Sequence, residues 1–304
     1  AKAYYYLGCL YYDKLQFEKA AELWEKSIRL DDGYPTVHRN LALAYYNKQN
    51  DPERAKQELE KAFALDETDA RVLLELDQLY KKLGMPFEKR LELYESHKDI
   101  ITERDDVMLE YVTLYNLAGK PEKAYEIIMS HSFRPWEGAE GRISGQYKIA
   151  LLEMAKKDIA AGAYSEAEEK LEKALVYPEN LGEGKLEGTK DNNLYYYLGL
   201  VKEALGKEGA EECFHLAELG DNEPAGAMYY YDQPADMILY KGLAKQKLGK
   251  TKEAHACFNK LMDYGERHLN DVVKNDFFAV SLPDFLIFED DMDKRNKAHC
   301  YYLM

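Results

Sequence analysis

A pattern that returns at an interval of about 34 residues, a spacing typical of helical arrays, limits this chain more than anything else in it. Its clearest copy is Tyr4-Tyr5-Tyr6-Leu7-Gly8-Cys9-Leu10-Tyr11, followed by Ala20 and Trp24. The aromatic, Leu-Gly and second aromatic, at helical spacing, predict the first helix of a hairpin; Ala20 and Trp24 fall on the returning helix. The logic is steric. Gly8 lets two helices approach, Ala20 fits beneath its partner, and the aromatics fill the groove between them. Comparable sets follow at Leu41-Ala42, Tyr45, Ala55 and Leu59, then at Leu73, Leu76 and Tyr80. Others lie at Met108, Tyr111, Tyr115, Ala124 and Ile128, and at Leu151, Ala155, Ala167 and Leu171. The strong form returns in Tyr195-Tyr196-Tyr197-Leu198-Gly199 with Ala210 and Phe214, and again in Ile238, Gly242, Ala254 and Phe258. One such hairpin cannot bury its apolar face alone, so the copies must stack.

These residues resemble the tetratricopeptide repeat (TPR), whose pattern runs Trp-x2-Leu-Gly-x2-Tyr, then Ala, then Phe. The resemblance implies an all-α, right-handed superhelical solenoid of about seven hairpins, with Cys300-Tyr301-Tyr302-Leu303-Met304 opening a truncated eighth. A single solenoid is expected over 1–304, more regular over 1–130 and more divergent over 131–304. The second helix of the third repeat, Phe87 to Ser96, is a degenerate copy. Arg90 and Leu93 stand there where a small residue and an aromatic are usual.

Composition narrows the partner. The formal net charge of −15 argues against nucleic acid or an anionic membrane, which want a basic face. Tyr at 26 against Phe at 10 suits surfaces that are apolar on one side and wet on the other. Cys9, Cys213, Cys257 and Cys300 show no framework spacing, which favours a reducing, cytoplasmic setting. No apolar run is long enough to span a bilayer. The chain opens on Ala1 inside a repeat and closes inside another, so it is expected to be part of a longer polypeptide.

The array is most informative where it departs from itself. Early links between repeats are short, but later ones lengthen to His131–Gln146, Tyr177–Asn192, Leu219–Ala235 and Tyr264–Asn296. Loops beyond about twelve residues inside a compact array are often functional. Stacked hairpins should bring these links out on one edge, and that edge is the candidate ligand site: His131, Trp136, Glu137, Glu140, Glu183, Lys185, Tyr230, Glu266 and His268. Aromatic faces beside carboxylates suit a polar ligand with apolar faces, such as a sugar. The competing reading makes the glutamates helix caps and Trp136 a core residue.

A second resemblance rests on Trp136-Glu137-Gly138 with Glu140-Gly141, Asn180-Leu181-Gly182-Glu183-Gly184 and Phe278-Ala279-Val280-Ser281-Leu282-Pro283-Asp284. These motifs resemble the C-terminal TPR region of large bacterial proteins that carry an uncharacterised, aldose-epimerase-related β domain. That likeness implies a carbohydrate context and an upstream β domain.

Other chemistry finds little support. Gly182-Glu183-Gly184-Lys185-Leu186 is no phosphate loop, because Leu186 stands in place of Ser/Thr and no strand precedes it. Cys213-Phe214-His215 and His255-Ala256-Cys257 read as small core residues rather than metal ligands. Asp284 to Asp293 lacks the spacing of a calcium loop and reads as a solvated acidic turn. The inner helices offer a second surface, a partner groove around Tyr5, Tyr12, Arg39 and Tyr46. There Asn40 and Asn47 stand without a matching basic set. The expectation is a non-catalytic interaction or scaffold module, without cofactor or metal, that binds a protein or its own upstream domain and, along the loop edge, a carbohydrate. The other class is part of a glycan-processing enzyme that shares its site with the β domain.

Overall fold

The computed structural model describes residues 1–134, 139–225, 232–273 and 287–304. Among them are sixteen α-helices and no strand, an all-α set in which consecutive helices pair as hairpins. They form two compact units. Unit 1 comprises Ala1–Ala118 together with 287–290; unit 2 runs from Gly119 to 273 and includes Asp291–Met304.

Unit 1 pairs α1 (Lys2–Asp13) with α2 (Phe17–Leu30), α3 (Pro35–Gln49) with α4 (Pro52–Leu65), and α5 (Ala70–Lys82) with α6 (Phe87–Ser96). Short α7 (Lys98–Ile101) leads into α8 (Asp105–Leu117). A cap and a proline set the start of α4: the Asp51 carboxylate accepts from Arg54 N at 3.1 Å, and Pro52 has no N–H to lose. Gly8 is buried, and a Cβ built on it would lie 2.5 Å from Trp24 Nε1, so the indole occupies the space a side chain would need. The indole N–H in turn donates to the Tyr5 carbonyl at 3.1 Å.

The degenerate third hairpin replaces that apolar fit with charge. Arg90, only 5% exposed, forms a fork with the buried Asp77 at 2.7 and 2.8 Å, and Glu110 stands 3.7 Å away. Burial works against the Arg90 cation, but Asp77 and Glu110 outweigh it and raise its pKa above the usual value.

Unit 2 contains α9 (Pro121–Ser130), α10 (Arg142–Ala161), α11 (Tyr164–Ala174), α12 (Asn192–Ala204), α13 (Ala210–Ala217), α14 (Met237–Lys247), α15 (Thr251–His268) and α16 (Met292–Leu303). The steric device of the first hairpin returns twice. A Cβ on Gly199 would meet Phe214 at 2.6 Å, and one on Gly242 would meet Phe258 at 2.4 Å.

The first and fourth long links run shorter than the sequence suggests: α10 already begins at Arg142, α16 begins at Met292, and α15 continues through His268, which leaves Gly265 inside a helix rather than in the fourth link. The glycine serves packing instead: a Cβ there would lie 2.5 Å from Met304 Cγ and 2.8 Å from the Cys300 carbonyl, so α16 rests directly on it.

Candidate functional site

The long links of unit 2 are organised by two side chains from one short stretch. Asn180 Nδ2 donates to the carbonyls of Ile128 at 2.8 Å and His131 at 2.9 Å, which close the C-terminal end of α9. Phe133 N donates to the Asn180 carbonyl at 2.8 Å, and the Phe133 ring is buried with the His131 ring 4.6 Å from it. Two residues beyond the buried Leu181, Glu183 accepts from Gly141 N at 2.7 Å and Ser144 N at 3.0 Å. These are orphan N–H groups at the start of α10, where the helix dipole also favours a negative charge. Glu183 thus does for α10, from a distant loop, what Asp51 does for α4 from its own chain end.

Lys185 extends the same stretch. Its Nζ donates to the Leu175 carbonyl at 2.9 Å and lies 2.6 Å from Asp191 Oδ2. Lys148 approaches the other carboxylate oxygen at 3.0 Å, and Asp191 is buried between the two cations. Both ammonium groups stand 5.9 Å from the Tyr177 ring centroid. Burial pulls the Lys148 ammonium down, but Asp191 and Tyr177 overcome this and raise its pKa.

The structure therefore joins His131, Glu183 and Lys185 through two docked loops, with the exposed Glu140 beside Gly141. Trp136, Glu137 and Tyr230 lie outside the described residues. Glu266 and His268 belong to α15 rather than to a link. Glu266 is exposed, while His268 Nδ1 is 2.6 Å from Asp271 and its ring 4.4 Å from that of Tyr264. An open cleft of about 360 Å³ is lined by Tyr147, Glu169, Glu172, Lys173, Val176 and Pro178, none of them among the candidates. Cys213 and Cys257 are buried while His215 and His255 are exposed, so each Cys and His two apart on one helix points a different way.

The partner groove of unit 1 also divides. Tyr12 fills the α1–α2 interface, 4.9 Å from Phe17 and 5.5 Å from Trp24. The Tyr5 ring meets Tyr34 at 5.1 Å, and burial, with Cys9 and Tyr34 nearby, pushes its phenol up to about 12. Arg39 grips the buried Glu75 with two hydrogen bonds of 2.5 and 2.6 Å. Tyr46 meets the most distant part of the chain among the described residues: its ring lies edge-on to Phe288 at 5.1 Å.

That contact belongs to a set which the sequence reading missed. Asn47 Nδ2 donates to the Ile287 carbonyl at 2.8 Å, and Glu289 N donates to Asn47 Oδ1 at 2.8 Å. Lys48 pairs with Glu289 at 2.5 Å and Lys82 with Asp290 at 2.7 Å. Asn47 does have basic companions, Lys48 beside it and Lys82 from α5; of the acidic turn, Glu289, Asp291 and Asp293 are exposed as expected, while Asp290 is more sheltered and both Glu289 and Asp290 pair with lysines. The available signal was charge complementarity between an acidic run and lysines near the ends of two first helices.

Residues 1–34 match the family model described as tetratricopeptide repeat. Similar solved structures include a tetratricopeptide repeat protein from Parabacteroides merdae, 15% identical, with 99% of this chain and 98% of that one covered and a TM-score of 0.45. The C-terminal part of a TPR repeat-containing protein from Cytophaga hutchinsonii is 13% identical, with 98% and 93% covered and a TM-score of 0.43. YrrB, described as a TPR protein with an unusual peptide-binding site, is 17% identical, with 65% and 91% covered and a TM-score of 0.43. Among the described residues no helix is long and apolar enough to cross a membrane.

Proposed function

We propose that this chain is a non-catalytic TPR interaction module whose working surface in unit 1 is the face around Tyr46, Asn47, Lys48 and Lys82, and that it grips short protein segments by their backbone. One observation carries the reading: the Asn47 carboxamide makes one donor and one acceptor bond to the backbone of residues 287 and 289. Such a pair of bonds holds a backbone of any sequence, leaving neighbouring groups to choose among sequences. The net charge of −15 favours a protein partner over nucleic acid. The gripped segment comes from a separate protein or from the upstream β domain that the loop motifs imply. A peptide library panned against the full chain and against Asn47→Ala tests this. Peptides retained equally by both would defeat it.

A carbohydrate-binding edge on unit 2 is the second reading, favoured by Lys148 and Lys185 flanking Tyr177. A ring beside two ammonium donors can stack on a polar ligand and hydrogen-bond to it. The glycan-processing alternative asks more of Glu183, whose two oxygens already accept from α10. Glycan-array binding lost in Lys185→Ala would support the edge. Unchanged activity of the full-length protein in Glu183→Gln would remove that carboxylate from any reaction.

A further inference from the structure

Resting on the groove reading above, we infer that this face of unit 1 recognises a short signature, any residue–aromatic–acidic–acidic, and that Ile287-Phe288-Glu289-Asp290 is the chain's own copy, which a partner's copy must displace. Each position of the signature has its own reader. The Ile287 carbonyl and the Glu289 N–H, two residues apart, are both held by Asn47, which fixes the register of a segment that bends at Ile287 and Phe288. Between those bonds the Phe288 side chain is carried inward. It is 1% exposed and sits edge-on to Tyr46, so the aromatic position is read by burial.

The two acidic positions are read differently. Glu289 is 62% exposed and its partner Lys48 28%, so that pair lies in solvent and contributes little binding. Lys82 and Asp290 are each 20% exposed, a more sheltered pair. Together they reject a basic residue at either position more strongly than they reward an acidic one, and so supply specificity. Lys48 also lies 5.2 Å from the Phe17 ring, which helps to hold its ammonium at the groove.

The resident copy has an advantage that no partner shares. A tethered segment presents itself at an effective concentration of about millimolar, so even a weak site remains filled by its own chain. A partner carrying the same signature must therefore bind with added contacts or in high local density. The groove thus has a built-in threshold against stray acidic peptides.

The test uses the full chain and a labelled Ile-Phe-Glu-Asp-Asp peptide. Its affinity is measured for the wild type, for Phe288→Ala/Glu289→Ala, and for that double variant with Asn47→Ala added. The expected result is at least about tenfold tighter binding to the double variant than to the wild type, returning to background with Asn47→Ala. Equal affinity for the wild type and the double variant overturns self-occupancy while leaving the groove standing. Binding that persists without Asn47 overturns both. If the double variant captures Asn47-dependent peptides lacking the aromatic–acidic–acidic order, the signature falls and the groove remains. A measurement on the wild type guards against a misfolded variant. Saturating peptide should speed hydrogen exchange at the Phe288–Asp290 amides about tenfold, as expected for a locally opened segment, and unchanged exchange refutes displacement.

Discussion

Asn47 in unit 1 and Asn180 in unit 2 are the same side chain set to different tasks. Asn180 donates to two carbonyls at the end of α9, that of His131 and that of Ile128, which also takes a long backbone bond of 3.3 Å from His131 N. Asn47 uses one donor and one acceptor on an irregular segment, whose backbone groups could equally be satisfied by water once released. The first arrangement closes a helix and is structural. The second is exchangeable, because neither partner is left buried and orphaned when it opens. A carboxamide on the backbone therefore does not by itself mark a binding site. What it satisfies, and what remains when it lets go, decides.

The largest effect separating the two should come from Asn180→Ala, which takes the side-chain donor from two part-buried carbonyls, leaving Ile128 only its long bond from His131 N, and costs unit 2 about 2 kcal/mol. Urea unfolding followed by hydrogen exchange in 128–134 would show it, and a loss below about 0.5 kcal/mol would erase the distinction. Glu183→Gln comes next, at about 1 kcal/mol, because the amide keeps one acceptor oxygen but loses the charge facing the start of α10. Faster exchange at Gly141 and Ser144 reports it.

Asn47→Ala should cost unit 1 less than about 1 kcal/mol, since its two bonds are replaced by water, yet it should expose Phe288 to solvent. Fluorescence or exchange at 287–290 can register that release. A stability loss larger than that of Asn180→Ala would make Asn47 structural too. Lys48→Ala and Lys82→Ala should each weaken the docked segment by only tenths of a kcal/mol, and the effect should fade at high salt.

The smallest effect is a pH drift in unit 1. Burial pulls His38 down, but the Glu58 carboxylate at 2.6 Å and the Asp32 carbonyl at 3.1 Å outweigh it and raise its pKa above the usual value. A raised folded pKa means its stabilisation is complete below the unfolded value and disappears as pH climbs through the folded one. Melting of the wild type against His38→Gln across neutral pH should show the two curves converging as pH rises.

Much of the fold was legible because its determinants are close in sequence. Gly8 and Trp24, Gly199 and Phe214, and Gly242 and Phe258 are each about a hairpin apart, and the glycine–aromatic fit is a local steric fact. The third hairpin was legible only as a departure. Arg90 stood out as wrong for its place, but that Asp77 and Glu110 would receive it depended on which faces met. The start of the fourth link was misplaced for a related reason: Gly265 sits inside α15, where a glycine is a packing point because another helix lies on it.

The candidate site was harder to read. Glu183 was singled out as a candidate ligand residue, with a helix cap as the competing reading, and a ligand site and a helix cap ask for the same residue in sequence. Only the nearness of Gly141 N and Ser144 N shows how it is engaged. Asn47 meets Ile287 across 240 positions, a pairing that no periodicity encodes.

What the sequence by itself determined is the hairpin and its repetition, since side-chain size at helical spacing decides which neighbours can touch. Where the loop carboxylates and amides spend their hydrogen bonds was decided by the tertiary structure. Polar groups find partners by position in space, and chain order alone does not supply that position.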